Sequence, residues 1–204
     1  MGPVSEILYF RDYWFPESIF PLYIGKFPFM IEDVIFGFSI GGIAAVIFEV
    51  FLKRKLRTLS THTKHSIKLL TIVFIFTTVL LITLALGANS IYASSLGFLV
   101  AGITIVYVRH DLLLDAVGSG VLVMLIMFVS YVALFNFVAN TDDILKQGWL
   151  LYGSNLDSRI AGVPVTEMSW GFTWGFLAAP WFEFMNGKKT VAFHAKKIGP
   201  KSPK

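Results

Sequence analysis

Five stretches of about 20 mostly apolar residues dominate this chain, and a helix of that length crosses roughly 30 Å of hydrocarbon. Charged residues make up 15% of the sequence, whereas a soluble domain carries about a quarter. Backbone groups in lipid must bond internally, and the alternating segments of a membrane β-barrel are absent. The sequence therefore predicts an all-α membrane protein, a bundle of about five transmembrane helices. The predicted spans are Phe29–Leu52, Ile67–Leu86, Ser90–Val108, Leu112–Val138 and Val163–Met185.

The distribution of Lys and Arg predicts the orientation of these spans. Thirteen of the 17 basic residues fall on the side that holds the loop after Leu52, Arg109 and the C-terminal tail. The side richer in Lys and Arg faces the cytoplasm. We therefore expect a cytoplasmic C-terminus and an external N-terminus in a cell membrane. The net charge of +4 is then a topology signal, and neither a nucleic-acid partner nor a cleaved signal peptide is predicted.

The first and last spans resemble each other. Aligning Ile31 with Val165 places IEDVIFGFSIGGIAAVIFEVF over VTEMSWGFTWGFLAAPWFEFM, with seven of 21 positions identical. Both copies lead into lysines on the same side, which predicts a parallel internal repeat. Each copy also has small residues four apart, a spacing that lets membrane helices approach closely. We expect these ridges to pack the first span on the fifth, although they could instead contact other helices.

A three-helix repeating unit with the acidic helix last defines the predicted organisation. Residues 1–57 form a partial first unit, with its acidic helix at 29–52, and 90–186 form the second unit. Residues 58–89 supply a linker helix. It returns the chain to the side of the membrane on which the second unit must begin if both units run in the same direction. The first unit lacks two helices: either the chain is an N-terminally reduced form, or another chain, a homologous subunit or a second copy, supplies them. The basic tail, 187–204, is predicted to be flexible and to contact anionic lipid.

Carboxyl groups at the ends of these spans are the candidate chemical groups. An ionisable group in hydrocarbon costs roughly 3 kcal/mol and needs a partner, a cavity or a proton. Glu32, Asp33 and Glu167 lie at the outer ends with few basic residues nearby, so we expect at least one to be protonated at neutral pH. Glu49 and Glu183 lie near the opposite ends of the same spans, roughly 24 Å away along the helix. They could be interfacial carboxylates near lysines, or serve a separate function or helix pairing.

Aromatic residues surround the outer acids. A protonated carboxyl beside an ionised one is an acid/base pair, and aromatic faces stabilise cations without trapping them. The combination suits protonation of an alkene and escort of a carbocation, whereas single Phe and Trp residues are commonly lipid-facing. The aromatic residues expected to contact substrate are Trp14, Phe36, Trp149 and Trp170.

Two segments share a pattern of an Asp, a Trp, a Gly, and a Pro followed by acids and an aromatic residue at the start of a helix. It occurs as Asp12, Trp14, Gly25, Pro28, Glu32, Asp33, Phe36 and as Asp143, Trp149, Gly162, Pro164, Glu167, Trp170. This pattern resembles the lycopene cyclase domain of membrane carotenoid cyclases. The spacing from Trp to Glu is identical in both segments, since Trp14 precedes Glu32 by as much as Trp149 precedes Glu167. The sequence departs from the family in a stretched first motif and in Thr166, which stands where the family has an acid.

The resemblance implies a cyclase that closes the ends of lycopene to β-rings by proton addition and loss. It gives Glu32, Asp33 and Glu167 the role of proton donor or base. Zero Cys residues and no Gly-rich nucleotide motif after a strand predict a reaction without a cofactor or metal. The expected partners are a lipophilic isoprenoid, membrane lipid, and a homologous subunit or second copy. The rival functions are a small proton-coupled transporter and a membrane assembly subunit.

Overall fold

The computed structural model describes residues 7–15, 21–24, 27–58, 65–137 and 141–192. The described residues are mostly helical. Its long helices coincide closely with the five predicted spans, and one short helix lies between the last two. The helices are α1 Ile31–Phe51, α2 His65–Ala85, α3 Ser90–Val108, α4 Leu113–Phe137, α5 Thr141–Gly148 and α6 Val165–Asn186.

Among the described residues, three helices are long and apolar enough to cross a membrane. They are Ile31–Phe51, Ser90–Val108 and His110–Phe137, the last made of a single 3₁₀ turn followed by α4. The apolar part of α2 is shorter, Leu69–Ala85. The prediction of a helical membrane protein is confirmed in this coarser form, and the count of five spans stays a prediction.

The helix α6 lies at the centre of the bundle. It packs most extensively against α4 and α3, and less against α1, while α2 packs on the outer side of α3. Glycines permit the closest approaches: a Cβ added at Gly120 would come 2.9 Å from the carbonyl oxygen of Phe172, and one at Gly102 would come 2.5 Å from the Phe176 ring. The second half of the chain therefore forms a tight three-helix core.

The predicted contact between the two small-residue ridges is wrong. A Cβ at Gly175 would lie 2.7 Å from the Ser119 carbonyl oxygen, and one at Gly171 would lie 2.6 Å from the Met127 sulfur, so both glycines face α4. In α1, a Cβ at Gly41 would meet nothing within 4 Å. Other side chains make the contact between α1 and α6. Trp174 of α6 packs against a buried cluster that includes Ile40, Ala44 and Ile47 of α1.

Three antiparallel strand pairs, which the all-α prediction omitted, flank the helices. They are β1 Pro21–Ile24 with β2 Phe27–Met30, β3 Arg54–Thr58 with β6 Lys188–Ala192, and β4 Arg159–Ile160 with β5 Val163–Pro164. The first and third pairs are hairpins that lead directly into α1 and α6. In the third, Ala161 and Gly162 have φ of +50° and +82°, the backbone of a two-residue type I′ turn. Strands this short carry too little periodicity to stand out beside the long apolar runs.

The strand β6 also changes the description of the tail. Residues 187–204 were expected to be flexible, but Lys188–Ala192 pair with β3 and cover the C-terminal ends of α1 and α6. The helix α6 ends at Gly187, whose φ of +59° is the left-handed conformation that glycine adopts without strain. This turn directs the chain back toward β3. Pairing with β3 then satisfies backbone groups of β6. Residues 193–204 of that tail lie outside the described residues.

Candidate active site

The segment 7–15 is tied to the start of α3 and to the end of α5. The carboxylate of Asp12 accepts hydrogen bonds from the Ser90 backbone N–H at 2.9 Å and from the Ser90 hydroxyl at 2.5 Å. The Asn89 side chain caps the same helix by accepting from the Ile91 N–H. On the other side, the Phe15 N–H donates to the Gly148 carbonyl at 2.7 Å. These contacts hold the aromatic side chains of the segment over the helix ends.

The helices α1 and α6 each begin with acidic residues directly after a hairpin. Glu32 and Asp33 lie in the first turn of α1, and Glu167 lies in the first turn of α6. Negative side chains are favourable in a first turn because the helix N-terminus carries partial positive charge. Each hairpin sets the direction in which its helix starts, and so brings acids from the two ends of the chain to one end of the bundle.

A cavity of about 300 Å³ lies between these helix ends, and we call it the acid cavity. All three predicted catalytic acids line it, together with aromatic and aliphatic side chains from the N-terminal segment, α1, α3, α4 and α6. The lining residues are Tyr9, Phe10, Tyr13, Trp14, Glu32, Asp33, Phe36, Gly37, Ile40, Ile91, Tyr131, Glu167, Trp170 and Trp174. Among these described residues there is no Lys, Arg or His, so any positive charge that develops here faces carboxyl groups and ring faces.

Two tyrosines hold the carboxyl group of Glu167. The Tyr13 hydroxyl donates to Oε1, and the Tyr131 hydroxyl donates to Oε2 at 2.9 Å. The Tyr13 oxygen also lies 3.0 Å from the Thr166 hydroxyl. Because Tyr13 has one proton, which it gives to Glu167, the Thr166 hydroxyl donates to Tyr13. Both oxygens of Glu167 therefore accept hydrogen bonds, and the orientation of the carboxyl is fixed.

A second tyrosine chain runs beside the first. The Tyr9 hydroxyl donates to Ser94 at 2.8 Å and accepts from the Trp170 indole N–H at 2.9 Å. Burial raises the pKa of Tyr9 to about 12. The pKa of Tyr13 is raised well above 10.0, chiefly by burial and further by the neighbouring Glu167. Both phenols in the N-terminal segment are therefore protonated donors at neutral pH.

Aromatic rings form one wall of the acid cavity. The Trp170 and Trp174 rings stack with centroids 6.1 Å apart, and Phe36 from α1 lies 6.4 Å from Trp170. Phe98 meets the edge of Trp174 at 5.2 Å. The wall offers ring faces close to the carboxyls, as cation stabilisation requires.

The structure brings most of the predicted site residues together. Glu32, Asp33 and Glu167 share the acid cavity with the predicted aromatic residues Trp14, Phe36 and Trp170. Trp149 is outside the lining: it is 2% exposed, pairs with the backbone of Trp14, and lies under the Arg159 guanidinium at 5.5 Å. Its position indicates a supporting role beneath the N-terminal segment.

The sequence analysis missed the tyrosines. Tyr131 lies inside an apolar span, six residues before its helix ends, where a buried hydroxyl needs a partner, and this requirement was a usable signal. Tyr13 stands between two residues of the recognised motif, Asp12 and Trp14. Tyr9 carried no such signal, because nothing in its spacing distinguishes it from an interfacial tyrosine.

The inner acids form a separate cluster at the other end of the helices. The Glu183 side chain is 1% exposed and lies beside the Glu49 carboxyl, with Asp115 nearby. Asp115 accepts a hydrogen bond from Thr190 of β6 at 2.7 Å. The pair β3 and β6 thus covers this cluster, which has no lining residue in common with the acid cavity. In the part of the chain that the structure describes, no three His, Asp or Glu side chains are arranged to hold a metal ion.

Comparison with known proteins gives one match. The family model described as lycopene cyclase matches residues 89–185, which span α3 to α6 and include Tyr131, Glu167 and Trp170. No curated protein and no solved structure matches the chain.

Proposed function

Residues 89–185 belong to the lycopene cyclase family, and from this premise we propose that the protein cyclises the acyclic end of a linear isoprenoid by moving protons. The substrate that the family implies is lycopene, and the product is a carotenoid with a β-ring. A lipophilic carotenoid reaches a membrane protein of this kind from the bilayer.

The convergence of three carboxyl groups on one aromatic-walled cavity carries this proposal. Glu32 and Asp33 come from α1, near the start of the chain, and Glu167 comes from α6, near its end. The first turn of each helix would tolerate an acid on its own. Their meeting at a shared hollow lined by Trp14, Phe36 and other aromatic residues is what an acid/base reaction on an apolar substrate requires.

The reaction needs one proton in and one proton out. Addition of a proton to the terminal C=C bond of the substrate leaves a carbocation on the adjacent carbon. The electron pair of a second C=C bond attacks this cation, forms the C–C bond of the ring, and leaves a new cation within the ring. Loss of a neighbouring ring proton to a base gives the ring C=C bond. Atoms and charge balance without an oxidant or a reductant.

Different surroundings suggest different roles for the acids. Glu167 accepts hydrogen bonds at both oxygens, from Tyr13 and Tyr131, so it is arranged to take up a proton. Glu32 and Asp33 both line the aromatic acid cavity, and repulsion among its carboxyl groups favours a state in which one of them keeps a proton that it can give. We assign the proton donor to this pair and the base to Glu167. The Trp170 and Trp174 faces stabilise the intervening cations.

The β3 and β6 pair supports the parallel repeat in this proposal. The register places Leu56 opposite Thr190, and the alignment of Ile31 with Val165 makes these two residues counterparts in the repeat. Arg54 faces Ala192, the counterpart of Thr58, and Thr58 faces Lys188, the counterpart of Arg54. An antiparallel pairing in which a residue faces its own counterpart is what a two-fold axis generates.

The opposite end of the bundle has a matching arrangement. Trp14 and Trp149, which stand at the same spacing before their acids, form an antiparallel bridge. The two hydrogen bonds of this bridge are equivalent when the two segments are interchanged. The Phe15 N–H donates to the Gly148 carbonyl, and the Leu150 N–H donates to the Tyr13 carbonyl. Both bridges fit a pseudo-two-fold axis along the bundle, relating two units that run in the same direction.

Expression in cells that accumulate lycopene tests the function. We expect a new ring-containing carotenoid, and membranes supplied with preformed lycopene in heavy water should place one deuterium in each ring. Glu167→Gln should lower the product at least about 100-fold, the scale of general acid/base catalysis. Glu183→Gln, the same substitution at the other end of α6, is the matched control and should leave the product unchanged.

Product that forms only with a co-expressed homologous subunit would support the function and assign it to the pair. Absence of a cyclic product from any acyclic isoprenoid, with or without such a subunit, would overturn it. Undiminished product from Glu167→Gln would also remove the proposed base.

A further inference from the structure

A second cavity of about 420 Å³ lies next to the acid cavity along α1 and α6, and we call it the apolar groove. Its walls come from α1, α2, α3 and α6. The lining residues are Gly41, Ala45, Val73, Phe76, Phe98, Trp174, Leu177, Ala178 and Trp181. Trp174 lines both cavities, so its ring is a common wall between them.

The lining residues follow one another in helical steps. On α1, the acid cavity takes residues up to Ile40, and the groove takes Gly41 and Ala45. On α6, the sequence of lining residues runs from Glu167 through Trp174 to Trp181. At about 1.5 Å per residue, these faces extend for about 20 Å. The two cavities therefore form one lane along adjacent faces of the two helices.

The chemistry of the lining changes along this lane. The acid cavity holds three carboxyls and three phenols, whereas the groove is lined by small and aliphatic residues and by aromatic rings. Small side chains at Gly41, Ala45 and Ala178 leave the space, and the flat rings of Phe76 and Phe98, stacked 4.9 Å apart, bound it. A narrow apolar space with flat walls suits a flat, conjugated hydrocarbon chain.

We propose that the apolar groove binds the polyene tail of the acyclic substrate while its end group lies in the acid cavity. This inference rests on the proposed function and adds where the unreactive part of the substrate lies. An end group alone fits a cavity of about 300 Å³, but a long isoprenoid must leave that cavity in some direction. The groove adjoins that cavity at Trp174 and is therefore the direction that we assign to the tail.

Two adjacent glycines offer a matched pair of probes. A Cβ at Gly41 or at Gly42 meets nothing within 4 Å, so a larger side chain fits the helix backbone at both. Gly41 lines the groove, whereas Gly42 is exposed and outside the lining. Gly41→Leu therefore fills the groove, and Gly42→Leu adds the same hydrocarbon elsewhere on the helix surface.

Binding can be measured without turnover. Each leucine variant is made in the Glu167→Gln background, reconstituted in lipid nanodiscs, and titrated with lycopene by quenching of tryptophan fluorescence. We expect Gly41→Leu to weaken lycopene binding about tenfold, and Gly42→Leu to change it less than about twofold. A short acyclic isoprenoid with the same end group should bind all variants equally, because it does not reach the groove. Equal thermal unfolding of the two leucine variants controls for folding.

Several results would overturn the assignment of the groove to the polyene tail. Lycopene binding that is equal in the two leucine variants, or a Gly41→Leu defect that extends equally to the short isoprenoid, would do so. Loss of co-purified phospholipid in Gly41→Leu without any loss of lycopene would assign the groove to a lipid chain instead. These outcomes are separate from the proposed function, since binding is measured in protein that lacks the base, and cyclisation is measured in protein with an intact groove.

Discussion

Two helices with the same residue pattern, α1 and α6, have different surroundings. The helix α6 is enclosed by α3, α4 and α1, whereas α1 contacts chiefly α6 and α4. Gly175 presses against the backbone of α4, but its counterpart Gly41 has open space. The Phe38 side chain is 85% exposed, while its counterpart Phe172 is half-buried. A shared pattern therefore fixes where acids and glycines lie on each helix and leaves their partners undetermined.

The difference has a direct consequence for the site. The space beside Gly41 is part of the apolar groove, while the equivalent space beside Gly175 is filled by Ser119 and Val123 of α4. The two units also supply different acids, the adjacent Glu32 and Asp33 from α1 and the single Glu167 from α6. In the proposed reaction, the enclosed helix α6 supplies the base, Glu167. The more open helix α1 supplies the proton donor, from Glu32 and Asp33.

The largest expected effect is a difference in the free energy of unfolding between alanine substitutions at Gly175 and at Gly41. Gly175→Ala should lower the free energy of unfolding by about 2 to 3 kcal/mol, because the new Cβ meets the Ser119 carbonyl oxygen and the Gly120 Cα, neither of which can turn aside. Gly41→Ala should change it by less than about 1 kcal/mol, toward greater stability, since alanine favours the helix and meets no atom. Titration with a denaturing detergent, followed by circular dichroism, measures both. Equal losses would show that α1 is as tightly enclosed as α6.

The hydroxyl groups that hold Glu167 come next. Tyr131→Phe removes the 2.9 Å hydrogen bond to Oε2 and should lower the rate of cyclisation roughly tenfold, about the value of one hydrogen bond to a charged group. Tyr13→Phe should act in the same direction. Tyr107→Phe removes the hydroxyl of a 76% exposed tyrosine and serves as the control. A full rate in both Tyr131→Phe and Tyr13→Phe would mean that the orientation of Glu167 does not limit the reaction.

The long helices and the shared acid site illustrate what the sequence could predict. Long apolar runs contain their own signal, because lipid forces each to satisfy its backbone alone. The position of Glu32, Asp33 and Glu167 in first turns followed from those boundaries, and the repeat indicated that the two ends of the chain are related. Their convergence at one cavity depends on distant contacts, such as Asp12 with the start of α3, that no local pattern encodes.

The errors in the sequence analysis have related physical causes. The glycine ridge was assigned to the contact between α1 and α6 because spacing shows that a helix can be approached closely, without showing by which helix. Gly171 and Gly175 face α4 instead. Lys188–Ala192 looked like a flexible basic tail because their strand is stabilised by β3, which lies in the first third of the chain. Partners distant in sequence decide such features.

A smaller effect concerns the two inner acids, where the exposed fraction again differs: Glu183 is 1% exposed, and Glu49 is half-buried. The two carboxyls lie side by side, so replacing either with leucine leaves the other beside an apolar side chain, and replacing both removes that penalty. A double-mutant cycle with Glu49→Leu and Glu183→Leu should therefore give a coupling energy of about 1 kcal/mol. Strict additivity of the two single effects would contradict the contact. Cyclisation should persist in all three variants, since this cluster shares no lining residue with the acid cavity.

The smallest effect concerns the hairpin that leads into α6, which carries an ion pair that the sequence of the hairpin before α1 does not offer. Arg159 donates to the Asp157 carboxylate at 2.5 and 2.6 Å and lies over the Tyr152 ring at 4.5 Å. The hydrogen bonds from Arg159 hold the pKa of Asp157 below its usual 3.8. A depressed pKa in the folded state means that the pair stabilises the fold above pH 3.8, and that this contribution is lost as the pH falls through the lowered value. Asp157→Asn should therefore cost under about 1 kcal/mol at neutral pH, as expected for a partly exposed pair at the surface, and nothing in strong acid. Thermal unfolding of wild type and variant across this range measures the difference, and a gap that widens on acidification would contradict the assignment.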